Sequence, residues 1–236
     1  MMNHDENKTP HKPSCVRPVR SYVLRQGRLT PAQSRALLTL SPLFVVAYAE
    51  QPIDFKTLFG RDAKTVIEIG FGMGAATAKI AQENPDTNFL GIEVHTPGVG
   101  SLLREIETRS LSNVRIVQHD AVEVIKTMIA PASLDGVHIF FPDPWHKKRH
   151  HKRRLLQPLF LEALAARVKE GGYLHVATDW EDYAHEILAL VEASAAWENV
   201  SPEGFTPRPP TRPQTKFEAR GIKLGHRVFD IVAQRK

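Results

Sequence analysis

The chain has 236 residues, of which 42% are hydrophobic and 24% are charged, so it can bury a core and is not disordered throughout. Its sequence has no apolar run of the roughly 18 residues that a membrane span needs, and its polar first residues do not resemble a signal peptide. The single cysteine, Cys15, excludes an internal disulfide and a multi-cysteine metal site. We therefore expect a cytoplasmic protein without a bound metal.

The positive charge of the chain is unevenly distributed. Lysine and arginine number 31 against 26 acids, which gives a net charge of +5. Residues 146–154 (HKKRHHKRR) hold six of these cations and no acid. Such a run is typical of contact with nucleic-acid phosphates, and the alternative is a solvated surface stretch.

Strand and helix patterns alternate along most of the chain. Residues 1–50 are predicted to form a basic, partly flexible N-terminal extension, and residues 51–236 one α/β domain. Short β-branched runs predict strands over 65–69, 88–93, 114–118, 137–141, 173–178 and 227–232. Helices are predicted over 74–83, 99–109, 121–129, 155–169 and 180–195, the fourth stopped by Gly171 and Gly172. This alternation predicts a mostly parallel sheet with helices on both faces, and the proline-rich residues 207–213 an extended loop.

Acidic residues follow or end five of the predicted strands: Glu68, Glu93, Asp120, Asp143 and Asp179. The carboxyl ends of parallel strands meet at one edge of a sheet, where ligands bind. Each acid alone could simply cap a helix, but five together would repel one another without a cation or hydrogen-bond donors among them. The pattern therefore predicts a binding site at this edge.

A glycine-rich turn at residues 68–74 (EIGFGMG) follows the first strand and indicates close backbone approach to a ligand. It loosely satisfies a dinucleotide-binding pattern, with Glu93 placed to hold a ribose. However, Glu68 would set a carboxylate beside a pyrophosphate. S-adenosylmethionine, which has a sulfonium, an ammonium and a ribose but no phosphate, fits these charges better than NAD.

A stiff acidic turn precedes the basic run. Asp143 lies between Pro142 and Pro144, and Trp145 and Lys147 follow. Because proline restricts both itself and the residue before it, Asp143 is expected to be held in place before any ligand arrives.

These residues resemble the tRNA (guanine-N7-)-methyltransferases. The resemblance runs from about residue 55 to the C-terminus, and its most specific part is the pattern Pro-Asp-Pro-Trp-x-Lys-Lys-x-His at 142–150. It also rests on residues 68–74, 119–121, 177–179, 215–218 and 220–221. It implies a Rossmann-like class I methyltransferase fold, with a mostly parallel seven-stranded sheet and an antiparallel last strand. The implied reaction is methylation of guanine 46 in the variable loop of tRNA.

The resemblance also implies roles for individual residues. It assigns the S-adenosylmethionine site to Glu68, Gly70, Glu93, Asp120 and Asp143. It implies that the substrate contacts are Lys147, Asp179, Thr215, Lys216, Phe217 and Glu218. The implied contacts to RNA phosphates are Arg149, His150, His151, Lys152, Arg153 and Arg154.

Guanine N7 carries a lone pair and no proton, so methylation there requires no general base. It does require in-line placement and a site shielded from water. A carboxylate that accepts from guanine N1–H would orient the base and stabilise the developing positive charge, and our hypothesis assigns this to Asp143, to Glu218 or to both. Trp145 and Phe217 are candidates for stacking on the base, or plain core aromatics.

Two alternative functions are compatible with parts of the sequence. An NAD-type oxidoreductase would use the same glycine turn, but leaves the basic run and Asp120 unexplained. A non-catalytic RNA-binding module on a methyltransferase fold would be expected to have lost at least one of the acids named above.

Overall fold

The structure, a computed structural model, describes residues 20–22, 27–223, 225 and 227–236, and of Lys216 and Phe217 only the backbone. Most of the predicted extension before residue 27 therefore lies outside the described residues. Of the helices in the described part of the chain, none combines the length and the apolar character needed to cross a bilayer.

The described residues alternate between helices and strands. The helices are α1 (Pro31–Phe44), α2 (Phe55–Phe59), α3 (Ala75–Glu83), α4 (Thr96–Thr108), α5 (Ala121–Thr127), α6 (Pro158–Arg167), α7 (Glu181–Glu192) and α8 (Lys216–Lys223). The strands are β1 (Val45–Val46), β2 (Thr65–Ile69), β3 (Asn88–Ile92), β4 (Val114–Val117), β5 (Leu134–Phe140), β6 (Val168–Thr178), β7 (Trp197–Asn199) and β8 (Phe229–Arg235). A short 3₁₀ helix covers Lys148–Arg153.

The strands form one sheet in the order β1-β4-β3-β2-β5-β6-β8-β7. All neighbours from β1 to β6 are parallel, and β8 runs antiparallel to β6 and β7. This confirms the predicted fold class, including the antiparallel last strand. The sheet has eight strands rather than seven; β1 and β7, at its two edges, are only two and three residues long, too short for a clear sequence pattern.

Each face of the sheet is covered by its own set of helices. Ile67 and Val137 point to the face packed by α5, α6 and α7. Val66 and Phe89 point to the other face, which is packed by α3, α4 and the buried Ala36 of α1. Alternate residues of a strand face opposite sides, so strands buried on both faces read as continuous apolar runs. The prediction of helices on both faces is confirmed.

The helix α1 begins inside the segment that was predicted as an extension. Thr30 and Gln33 form a capping box, with Pro31 at the first helical position, and the Gln33 amide donates to the Pro97 carbonyl of α4 (3.0 Å). Residues 31–46 thus pack into the domain, and β1 extends its sheet. The signal that could have located this helix was Thr30-x-x-Gln33 rather than apolar periodicity.

The predicted helix stop at Gly171 and Gly172 is wrong. The helix α6 ends at Arg167, and β6 begins at Val168 and contains both glycines. Gly171 has a φ of 76°, where glycine is favoured, and the β5–β6 register shifts between Leu134 and Gly136. The glycines accommodate an irregular start to a strand rather than the end of a helix.

Candidate active site

The predicted site lies where the carboxyl ends of the parallel strands meet. A cavity of about 200 Å³ opens there, lined in part by Gly70, Glu93 and Asp143 and by the aromatic residues Phe140 and Phe141. Residues from the ends of β2, β3 and β5 therefore share one pocket, because these strands are neighbours in the sheet.

The glycine turn after β2 is packed against α4. Gly72 has a φ of 57°, a conformation that glycine adopts without strain. A Cβ on Gly98 would lie 2.1 Å from the Gly72 carbonyl oxygen, so α4 approaches the turn as closely as its backbone allows. The turn is thereby fixed from outside the cavity.

Glu93 connects this turn to the start of α4. One carboxylate oxygen accepts from the Gly72 N–H (2.9 Å), and the other from the N–H groups of Val94 (2.7 Å) and His95 (3.0 Å). Since each carboxylate oxygen can accept more than one hydrogen bond, Glu93 can hold the turn and still accept from a hydroxyl in the cavity.

Glu68 is buried beside this turn, with 3% of the residue exposed. Its Oε2 has no hydrogen-bond partner among the described residues, and neither does the buried hydroxyl of Thr77. Burial raises the pKa of Glu68 to about 7, and the negative charge of Glu93 adds a smaller increase. The nearby Thr77 hydroxyl lowers this pKa in part, although it does not complete a hydrogen bond. An unpartnered buried carboxyl oxygen of this kind is suited to a donor or a cation.

Asp120 has a structural role at the far end of the site. Its carboxylate caps α5 by accepting from the Val122 N–H (2.9 Å). A second groove, lined by Asp120, His119, Tyr22 and Lys152 among others, adjoins the cavity here. Asp120 therefore does cap a helix, which was the alternative role for each acid taken alone.

The short segment 20–22 is a component that the sequence did not predict. Ser21 and Tyr22 line the cavity, although they were assigned to the extension. The Trp145 indole donates to the Ser21 carbonyl (3.2 Å), and Arg153 donates to the carbonyls of Arg20 (3.0 Å) and Tyr22 (3.2 Å). Burial, followed by the negative charge of Asp120, raises the pKa of Tyr22. These contacts join residues more than 120 positions apart in the sequence, so no local pattern predicts them.

The acidic turn after β5 contains two strained aromatic residues. Phe141 and Trp145 have φ values of 54° and 49°, which cost on the order of 1–3 kcal/mol each for non-glycine residues. Asp143 lies between them and is exposed. The Arg153 guanidinium lies 3.9 Å from the centre of the Trp145 ring, and His150 meets that ring edge-on. One face of Trp145, a predicted stacking residue, is thus already covered.

The basic run divides into exposed and buried members. Lys147, Lys148, Arg149 and Lys152 are exposed, as contact with RNA requires. The remaining residues of the predicted phosphate surface are half-buried, namely His150, His151 and Arg153, or buried, namely Arg154.

Arg154 corrects the prediction of a phosphate contact. Its side chain is fully buried and donates to Asp182 (2.7 Å), to Glu186 and to the Pro144 carbonyl (2.9 Å). The two acids are one turn apart on α7, a helix that the run itself does not reveal. Ligand-type atoms of His151, Asp182 and Glu186 lie within 4.8 Å of one another, but Arg154 already supplies the positive charge between the two carboxylates.

The predicted substrate segment 215–218 forms the start of α8. The Thr215 hydroxyl accepts from the Glu218 N–H (3.1 Å), and the Glu218 carboxylate accepts from the Thr215 N–H (3.3 Å), which is a capping box. Glu218 is 3% exposed and also accepts two hydrogen bonds from Arg212 (2.7 and 2.9 Å). This differs from the expected direct contact with guanine. The side chains of Lys216 and Phe217 lie outside what the structure describes.

Two further predicted substrate residues, Lys147 and Asp179, are exposed and half-buried, respectively. Next to Asp179, Trp180 is 37% exposed, and its ring meets His146 edge-on at 4.1 Å. Sequence reasoning assigned Trp180 only to a helix. The position of this tryptophan directly after a strand-end acid was the signal that could have marked it.

Comparison with known proteins identifies similar chains along almost the whole sequence. Residues 62–231 match the family model described as "Putative methyltransferase". A tRNA (guanine-N(7)-)-methyltransferase of Methylobacillus flagellatus is 60% identical over 221 residues, which cover 93% of this chain and 92% of the relative. A protein of the same name from Thiobacillus denitrificans is 56% identical over 92% of this chain and 96% of its own length.

Solved structures share the fold at much lower identity. The 16S rRNA methyltransferase KamB matches 80% of this chain and 96% of its own, with a TM-score of 0.55 and 14% identity. A structure described as an antibiotic-related methyltransferase matches 84% of this chain and 99% of its own, with a TM-score of 0.54 and 18% identity.

Proposed function

Because the chain belongs to the tRNA (guanine-N(7)-)-methyltransferase family, we propose that it transfers the methyl group of S-adenosylmethionine to N7 of guanine 46 in tRNA. One observation carries this proposal. Asp143 lines the cavity at the strand ends, and exposed cations begin four residues later at Lys147. The same turn thus presents a carboxylate to a base and positive charge to phosphates.

The residues around the cavity fit S-adenosylmethionine. The unpartnered buried oxygen of Glu68 suits a cationic group, and Glu93 can accept from ribose hydroxyls while it holds the glycine turn. The backbone at Gly70 leaves room for close approach of a ligand: a Cβ there would meet nothing within 4 Å. Asp120, in the adjoining groove, would accept from the adenine amino group. When bound, S-adenosylmethionine supplies an electrophilic methyl group.

The chain's own residues would orient guanine rather than remove a proton from it. N7 has a free lone pair, so the reaction needs alignment and exclusion of water more than a base. Asp143, exposed at the cavity wall, would accept from guanine N1–H, a hydrogen bond that strengthens as the purine becomes cationic. Asp179 and Thr215 would contact the substrate from neighbouring elements.

The exposed cations would bind the tRNA backbone. Lys148, Arg149 and Lys152 project from the 3₁₀ helix beside the Asp143 turn, and phosphate contacts position an RNA without reading its sequence. Trp180 is a candidate for stacking on the displaced base, because its ring is partly exposed beside Asp179. Ser21 and Tyr22 would close the cofactor side of the cavity.

The test is a methyl-transfer assay. Protein, unmodified tRNA and isotope-labelled S-adenosylmethionine are incubated, and the digested nucleosides are identified by mass spectrometry. We expect 7-methylguanosine. Label in another nucleoside would overturn the target atom, and cofactor binding without any transfer would favour the RNA-binding module.

A further inference from the structure

A buried charge network joins the proline-rich loop to three parts of the fold. Arg212, whose side chain is 1% exposed, donates two hydrogen bonds to Glu218 (2.7 and 2.9 Å) and two to Asp230 (2.6 and 2.8 Å). His175 of β6 makes a further hydrogen bond to Asp230 (2.8 Å). The planar guanidinium is thus held between two carboxylates, a geometry that a lysine ammonium cannot reproduce.

One end of this network sets the start of α8. The Glu218 carboxylate that Arg212 holds is the same group that accepts from the Thr215 N–H and completes the capping box. Thr215 and Glu218 therefore take their positions from Arg212, which lies outside the helix that they begin.

The other end reaches the wall of the cavity. The Arg212 guanidinium lies 5.9 and 5.6 Å from the ring centres of Phe140 and Phe141, which line the cavity directly before Pro142. The Phe141 N–H donates to the Ala177 carbonyl (2.7 Å), and Ala177 pairs with Asp230 across the β6–β8 ladder. Arg212 thus contacts both the strand that leads to Asp143 and the segment that begins with Thr215.

We propose that Arg212 is a positioning residue for the reaction: it fixes the Thr215–Glu218 turn relative to Asp143, so that Glu218 acts through Arg212 rather than by contact with guanine. Stability alone gives little reason for such a network, because apolar residues of similar volume often replace buried ion pairs without loss. The importance of placement for catalysis gives a stronger reason, since an error of 1 Å can cost roughly 100-fold in rate. This inference rests on the proposed function.

The test compares Arg212→Lys with Arg235→Lys. Arg235 lies at the opposite end of β8 from Asp230 and donates to the carbonyls of Ala165 and Ala196. Its replacement by lysine therefore also removes the hydrogen bonds of a guanidinium, but away from the site. For each variant, the thermal midpoint, the Kd for S-adenosylmethionine, kcat and the KM for tRNA are measured. Amide hydrogen exchange of α8 is followed as well.

We expect Arg212→Lys to lower kcat/KM for tRNA on the order of 100-fold and to speed exchange in α8. The Kd for S-adenosylmethionine should stay within about threefold of the wild type, because Gly70 and Glu93 follow β2 and β3, to which Arg212 makes no hydrogen bond among the described residues. The double variant Arg212→Lys/Glu218→Gln should have a kcat/KM for tRNA only slightly lower than that of Arg212→Lys alone, since the two residues act as a unit.

A loss of kcat/KM no larger than that of Arg235→Lys, or unchanged exchange in α8, would overturn the inference. The exchange measurement does not depend on activity. A wild-type protein that forms no 7-methylguanosine would therefore refute the proposed function, whereas the α8 comparison would still decide whether Arg212 positions the segment.

Discussion

Substitution of Gly98 by alanine tests whether the glycine turn is held in place by α4. By helix propensity alone, replacing glycine with alanine would stabilise a helix by up to about 1 kcal/mol. Here, however, the added Cβ would lie 2.1 Å from the Gly72 carbonyl oxygen, and the nearest ordinary contact is 3.4 Å. The turn or the helix would have to move by about 1.3 Å, which is the difference between those distances.

The movement has a predictable cost. Overpacking of this kind lowers the free energy of unfolding by about 1–3 kcal/mol. Gly72 also donates to Glu93, and a hydrogen bond to a charged acceptor is worth about 1.5–3 kcal/mol. If the shift breaks that bond, this energy is also lost from stability, and the displaced Glu93 no longer meets the ribose hydroxyls. Loss of one such hydrogen bond to the ligand should raise the Kd for S-adenosylmethionine roughly 10- to 150-fold.

The assay is isothermal titration of S-adenosylmethionine, together with urea unfolding. Gly100→Ala is the matched control, because it lies on the same helix and its added Cβ would meet Gln33 at 3.0 Å rather than the turn. We expect the control to change stability but not cofactor affinity. A Kd for Gly98→Ala within about threefold of that of the control would show that α4 does not hold the glycine turn in its binding position.

Four other substitutions test the buried acid, the basic run and the acidic turn. Because burial raises the pKa of Glu68 from 4.5 to about 7, the cofactor-free protein should lose roughly 2–3 kcal/mol of unfolding free energy as the pH rises from 5 to 8. Glu68→Gln should remove this loss in urea unfolding, and an unchanged pH dependence would contradict the assignment. Arg154→Gln should destabilise the fold by about 1–3 kcal/mol but leave the salt dependence of tRNA binding unchanged. Lys152→Gln should instead reduce the slope of the log binding constant for tRNA against log salt by about 0.7–0.9. Equal slopes for the two variants would contradict this division. Asp143→Asn should lower kcat about 100- to 1,000-fold, and near-normal turnover at saturating substrates would exclude its role.

Much of the fold, and the meeting of two acids in one cavity at the strand ends, followed from local sequence. The β2 strand, Thr65–Ile69, was predicted to the residue, because five buried positions followed by a glycine turn leave few alternatives. Glu93 and Asp143 could be placed in one site because parallel strands end at the same edge. These inferences use only the neighbours of each residue and the rule that parallel strands end at one edge of a sheet.

The parts that were missed depend on contacts between distant segments. Arg154 reads as one more surface cation until α7 brings Asp182 beside it, and Glu218 reads as a free carboxylate until β8 brings Asp230 and Arg212 together. The sequence shows which side chains carry charge. It does not show which charges neutralise each other inside the fold.

The methylated position in the tRNA can be mapped directly. Two tRNA transcripts that differ only in guanine or adenine at position 46 are incubated with the protein and S-adenosylmethionine. Each RNA is then cleaved chemically at 7-methylguanosine. We expect cleavage at position 46 of the guanine transcript and none in the adenine transcript. Cleavage at another guanine, or equal cleavage of both transcripts, would contradict it.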